Sequence, residues 1–138
     1  MLKAEGYTLV EILVVLVIIG VLIVLGWPNY LKIKEVTLNR EAKASLALIS
    51  AADKIYKMEQ TFYYPYSTSE NSPANINTNL KLSLPTAPPS WSITVDSTTP
   101  GSEKATAKRS IGAGADNRVW TQLFSSDTPT CAGGSYCQ

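Results

Sequence analysis

The 138-residue chain contains no histidine. That absence removes the usual base for a serine or cysteine nucleophile and the commonest ligand of a catalytic metal. Cysteine is scarce too: Cys131 and Cys137 are the whole supply, and two sulfurs without an imidazole do not complete a structural zinc site. Net charge is nearly absent. Twelve basic residues against 11 acidic ones leave +1, which gives no general attraction to nucleic acid or to an anionic surface. Charge is thinnest near the N-terminus, where Glu11 is the only charged side chain between Tyr7 and Pro28. No glycine or proline interrupts the chain between Pro28 and Pro65. No catalytic constellation is found, and neither a cofactor nor a metal is expected.

What is there begins with the apolar run. Tyr7 to Trp27 is 21 residues, and a helix of that length spans about 31 Å, close to the hydrocarbon core of a bilayer. It is longer than the apolar region of an ordinary secretory signal, and Trp27-Pro28-Asn29 follows it instead of a small-x-small cleavage site, so the segment is expected to be retained. Glu11 is then costly. A carboxylate at the centre of a spanning helix is penalised by about 2.5–3.5 kcal/mol, and less near an end, where Glu11 sits. It either reaches the headgroups or awaits a cation, and the nearest positive side chain is Lys3 in the head MLKAEG.

A short polar leader ending in glycine, then an aromatic residue, then TLVEILVVLVIIG, resembles the class III signal of type IV pilins and type II secretion pseudopilins. The resemblance implies that a prepilin peptidase cuts between Gly6 and Tyr7 and that the new amine of Tyr7 is methylated. Tyrosine departs from the family's more frequent phenylalanine at that place. Glu11 falls on the fifth residue of the processed chain, where the family has its glutamate. The implied partner of Glu11 is therefore the Tyr7 amine of a neighbouring subunit. Gly20, Gly26 and Pro28 also follow the family pattern: glycine weakens a helix, proline removes a backbone bond, and small residues let helices approach in a membrane. A continuous but kinked helix is expected in the single chain, with local melting from Gly20 to Pro28 in an assembly. Orientation, with the leader cytoplasmic, also rests on the resemblance, because Lys3 on one side and Lys32, Lys34 and Arg40 on the other give a weak positive-inside signal.

Beyond Asn29 the helical period continues to about Gln60. Leu38, Ala42, Leu46, Ile49, Ala52 and Tyr56 recur at three- and four-residue steps, predicting a stripe that packs on a small sheet. Thr61 to Pro89 reads as an irregular exposed loop. Its aromatics Phe62, Tyr63, Tyr64 and Tyr66 read as packing a loop onto a helix end, with a binding patch or a conductive stack as alternatives. Strands are expected at Trp91–Val95, Lys104–Ser110 and Arg118–Phe124, the last with Val119, Thr121 and Leu123 sharing one face. Pro100-Gly101 and Gly112-Ala113-Gly114 supply turns. The predicted class is α+β: a helix over about 7–60 whose second half packs against a small antiparallel sheet, which agrees with the pilin fold. The predicted organisation is leader 1–6, apolar membrane or filament-core helix 7–33, and soluble head 34–138.

The stretch CAGGSYC can close a small Cys131–Cys137 disulfide loop, its glycines permitting the bend and its bond implying export to an oxidising compartment; two free thiols are the alternative. Glu70, Asp96, Glu103, Asp116 and Asp127 are scattered and read as solvated, and Asp116-Asn117 reads as a plain turn in preference to a calcium ligand. Lys104, Lys108, Arg109 and Arg118 cluster in sequence. Resemblance to competence pilins makes them a conceivable DNA patch, but Glu103 and Asp116 dilute it, and a solvated strand face is the expected state.

The resemblance thus implies a structural subunit, not an enzyme, that polymerises with itself and other pilins. It implies dealings with a prepilin peptidase and an assembly platform, an inner-membrane stage with the head outside the cytoplasm, and then an extracellular filament or a periplasmic pseudopilus. The alternatives are a minor or competence pilin that binds DNA or surfaces, a type II secretion pseudopilin, and a single-span anchored domain outside the family.

Overall fold

The computed structural model describes residues 7–85, 90–109 and 116–137, without the side chains of 26–28. Gly6 and the Gly112-Ala113-Gly114 turn lie outside the described residues. The elements in chain order are α1 (Leu9–Gln60), β1 (Ser69–Glu70), α2 (Pro73–Leu80), β2 (Ser92–Asp96), β3 (Lys104–Lys108), β4 (Val119–Leu123) and β5 (Thr130–Ala132). The chain divides into two compact units, one ending at Lys34 and one beginning at Glu35.

The first unit holds the apolar part of α1. Its backbone stays helical through Gly20 and Pro28. Thr8 starts the helix: its hydroxyl accepts the Glu11 N–H at 3.3 Å. Thr-x-x-Glu is the order of a capping box, and an acid in the first turn also faces the positive end of the helix dipole.

The second unit is the head. Its five strands lie in the order β1-β2-β3-β4-β5, each antiparallel to the next, so the sheet is a simple meander. Registration builds two buried rows. Ile93 stands opposite Ala107 and Ala107 opposite Trp120; Val95 stands opposite Ala105 and Ala105 opposite Gln122. The middle strand thus offers only alanines between larger neighbours, leaving room for a helix. Ala42, Leu46 and Ile49 of α1 join these residues in one core, with Leu38, Ala52 and Tyr56 packed against its edge.

Two expectations need correction. The stretch read as an irregular loop contains β1 and the two-turn helix α2. Ser72 caps α2, accepting the Asn75 N–H at 3.4 Å, Pro73 occupies its first turn, and Ile76 and Leu80 are buried one turn apart. β4 divides as expected, Val119, Thr121 and Leu123 on one face and Trp120 on the other; the buried face is that of Trp120 and Gln122, while Leu123 is exposed. Two aromatics, Trp120 and Phe124, outweigh one leucine, and Gln122 is tolerated inside because its amide donates to the carbonyls of Leu123 and Ser126. The buried line of α1 is also longer and more polar than its apolar stripe, since Glu35, Asn39, Ser50 and Asp53 lie on it.

Candidate functional site

In the first unit every described side chain from Leu9 to Leu25 is exposed. The run is apolar enough to cross a membrane, and none of it is covered by the protein itself. Uncovered hydrophobic surface on this scale marks a membrane or partner contact. At its start Tyr7 and Glu11 are exposed, and among the described residues Glu11 has no ion-pair partner. Gly20 has no heavy atom outside its own helix within 4 Å of where a Cβ would stand, so within one chain nothing requires a glycine there.

The head carries a second uncovered strip on α1. Ala44, Leu48, Ala51, Ile55 and Met58 follow one another at steps of four, three, four and three residues, and all five are exposed. Met58 is 82% exposed. The spacing is that of one helix face, turned away from the buried line. The sequence signal was available: Ala44, Leu48, Ala51 and Met58 each lie two positions beyond a member of the core stripe, and Ile55 lies three beyond Ala52.

Residues 1–27 match the family model described as the prokaryotic N-terminal methylation motif. The chain therefore begins with a prokaryotic N-terminal methylation motif. Over 65 residues the chain is 32% identical to the type IV major pilin protein PilA of Myxococcus xanthus, covering 47% of this chain and 30% of that protein. Over 61 residues it is 39% identical to the type II secretion system core protein G of Escherichia coli, covering 44% and 42%. Over 58 residues it is 38% identical to the competence protein ComGC of Streptococcus pneumoniae, covering 42% and 54%. The chain thus spans between about a third and about half the length of these relatives. No solved structure gives a significant match.

Behind the pilin-like segment, the four clustered cations of the head part company. Arg109 and Arg118 are buried, Arg118 with none of its surface exposed, whereas Lys108 is exposed. Arg109 donates through Nη2 to Glu35 Oε1 at 3.2 Å, and Arg118 through Nη2 to Glu35 Oε2 at 2.6 Å. Arg118 also reaches Asp116 Oδ1 at 2.8 Å and Asn39 Oδ1 at 2.8 Å. The expected solvated strand face is therefore wrong for the two arginines, and so is the expected solvation of Asp116. Desolvation compels a buried guanidinium to find carboxylates, and these come from α1 and the neighbouring turn. A DNA patch loses two of its four cations by the same fact.

Burial pushes the Glu35 carboxyl up, but the Arg109 and Arg118 guanidiniums outweigh it and hold the group below its ordinary value. Asp116 is likewise held low, burial being overcome by the Arg118 N–H groups and charge and by the Ser135 N–H. The cluster also fastens the C-terminal loop. Cys131 and Cys137 are bonded, Asp116 Oδ2 accepts the Ser135 N–H at 3.0 Å, and Asn39 Nδ2 donates to the Tyr136 carbonyl at 2.6 Å. Gly134 is required here: its φ is +75°, and a Cβ would stand 2.7 Å from Arg118 Cβ.

The opposite end of the buried line holds Asp53. Its Oδ1 accepts the Tyr64 N–H at 2.8 Å, while Oδ2 has no hydrogen-bond partner. Burial lifts its carboxyl from 3.8 to about 7; the Tyr64 N–H pulls the other way and the charge of Glu103 adds to the rise. Among the described residues no group of three His, Cys, Asp or Glu side chains is placed to hold a metal.

Proposed function

We propose that this chain is a structural subunit of a type IV pilus or a pilus-like filament. After a prepilin peptidase cuts between Gly6 and Tyr7, the chain waits in the inner membrane with its head outside the cytoplasm. An assembly platform then moves it into a polymer with itself and other pilins, as an extracellular filament or a periplasmic pseudopilus. The observation that carries the reading is the uncovered apolar helix Leu9–Leu25 with the lone carboxylate Glu11 at its start. Apolar side chains supply the packing. Glu11 supplies register, pairing with the methylated amine of Tyr7 on a neighbouring subunit. Removing one partner of such a buried pair costs about 3–5 kcal/mol. The exposed strip Ala44–Leu48–Ala51–Ile55–Met58 gives each head a second apolar face for the same polymer. Melting from Gly20 to Pro28 belongs to the assembled state in this reading, because glycine and proline make that stretch the weakest part of the helix.

Mass spectrometry of filaments sheared from native cells tests the proposal. The expected N-terminal peptide begins at methylated Tyr7, and Glu11→Ala is expected to be processed normally but to yield few filaments. A peptide still beginning at Met1 in active cells, or a normal filament yield from Glu11→Ala, overturns it. The similarity to the type II secretion core protein G and to ComGC favours a second reading, a pseudopilin or competence pilin. Processed chain confined to the membrane fraction would select it.

A further inference from the structure

Beyond assembly, the head carries a cleft of about 210 Å³ at the C-terminal end of α1, lined by Lys57, Thr61, Phe62, Tyr63, Tyr66, Ser67, Ser97, Pro100 and Glu103. We propose that this cleft is a binding site for a saccharide chain, one sugar ring seated in it against Tyr66.

Four observations carry the assignment. The rings are unevenly committed. Tyr64 is buried in the core and Tyr63 leans on Phe124 at 5.2 Å, as a packing role requires, but Tyr66 keeps 68% of its surface exposed and meets the half-buried Phe62 at 4.7 Å. Phe62 is itself held edge-on to Tyr56, with ring centroids 6.0 Å apart, so it backs Tyr66, whose exposed ring offers a C–H-binding face beside the cleft. The ring planes are tilted, 57° between Phe62 and Tyr66 and 43° between Tyr63 and Phe124, so there is no parallel slot for a flat nucleobase. The polar lining mixes donors and acceptors. It has the hydroxyls of Thr61, Ser67 and the tyrosines, the Glu103 carboxylate and the Lys57 ammonium, which lies 4.1 Å over the Tyr63 ring. That mixture suits the many hydroxyls of a sugar, whereas Glu103 repels a phosphate.

The backbone supplies the fourth observation. Thr61 (φ 73°) and Ser67 (φ 51°) both adopt the left-handed conformation. Thr61 closes α1, its N–H bonding the Lys57 carbonyl at 2.8 Å, at a place where glycine is the ordinary residue and a β-branched one is a true outlier. Strain of this kind concentrates where a side chain serves a ligand. At about 210 Å³ the cleft is smaller than the usual small-molecule pocket, which fits one unit of a polymer better than a whole free ligand.

The test uses the full chain in detergent micelles, so that its failure leaves the assembly proposal untouched. Three tetrasaccharides are titrated by calorimetry and by saturation-transfer NMR: neutral cellotetraose, cationic tetraglucosamine and anionic tetragalacturonate. At least one is expected to bind, and Tyr66→Ala is expected to weaken it about tenfold or more without moving the thermal midpoint. Thr61→Gly is expected to keep the fold and weaken the same ligand. Preference for the cationic or anionic probe assigns recognition to Glu103 or Lys57, checked by Glu103→Gln and Lys57→Gln. Absence of binding by all three up to about 10 mM, or binding indifferent to both Tyr66→Ala and Thr61→Gly, overturns the site.

Discussion

Glu35 and Asp53 stand on the same buried line of α1, about five turns apart, and both are carboxylates under the sheet. They are in opposite states. Glu35 sits between two guanidiniums and stays ionised, its carboxyl held low. Asp53 has a single backbone N–H, one oxygen with no partner, and a carboxyl raised to about 7. Burial alone would push both upward. What separates them is whether the sheet sends charge back to the helix, and only the end of the sheet that carries Arg109 and Arg118 does so.

Breaking the Glu35 end should have the largest effect. Glu35→Ala leaves two buried guanidiniums short of their shared carboxylate and is expected to destabilise the head by about 3–5 kcal/mol in urea unfolding near neutral pH. A loss under about 1 kcal/mol would mean that Asp116 and Asn39 suffice for both arginines.

The Asp53 end should respond in the other direction. Its folded-state carboxyl lies above its unfolded value of 3.8, so the folded head holds that proton more tightly. Its stabilising contribution is complete below about pH 4, falls as the pH rises toward about 7 and is flat above. The depressed carboxyls of Glu35 and Asp116 act oppositely, contributing above their unfolded values and losing stability as acid protonates them. Asp53→Asn should therefore stabilise the head by on the order of 2 kcal/mol at pH 8 and little at pH 4. Equal effects at both pH values would remove the titration from the account.

The smallest expected effect sharpens the same contrast. The Asp53 end is held by neutral bonds: α2 supports Tyr64 through Asn79 Nδ2, 3.2 Å from the phenol oxygen, and Ser97 Oγ donates to the Tyr64 carbonyl at 3.1 Å. Removing the α2 cap with Ser72→Ala should cost about 1 kcal/mol and speed amide exchange in Asn75–Leu80. The Arg109 and Arg118 amides should not change.

Much of this was legible in the chain. A helix predicted over about 7–60 is found as Leu9–Gln60, and the three longest strands lie within a residue or two of their predicted places. Period and punctuation suffice for such long elements. The missed parts have particular reasons. α2 is only two turns long, and its signal, Ser72 followed by Pro73, lay inside a polar, proline-rich stretch. β1 has two residues and β5 three, too few for any alternation to register. The two faces of β4 were legible from alternation, but which of them is buried was not, since Gln122 lies inside only because its amide finds carbonyl partners. The fate of Arg109 and Arg118 was hidden most deeply, since their common partner Glu35 lies 74 and 83 residues away along the chain. No local pattern encodes a pairing across that distance.

The bond from Asn39 to the Tyr136 carbonyl spans 97 residues. It sets an order of events during synthesis. The apolar run of α1 can enter a membrane as soon as it leaves the ribosome, because it needs nothing from the rest of the chain. The head has no such independence. Asn39, near the start of the head, is secured by a residue made 97 positions later, so that stretch must be delivered before the head can close. Closure of the head is thereby a late event, whereas the apolar run is ready from the start.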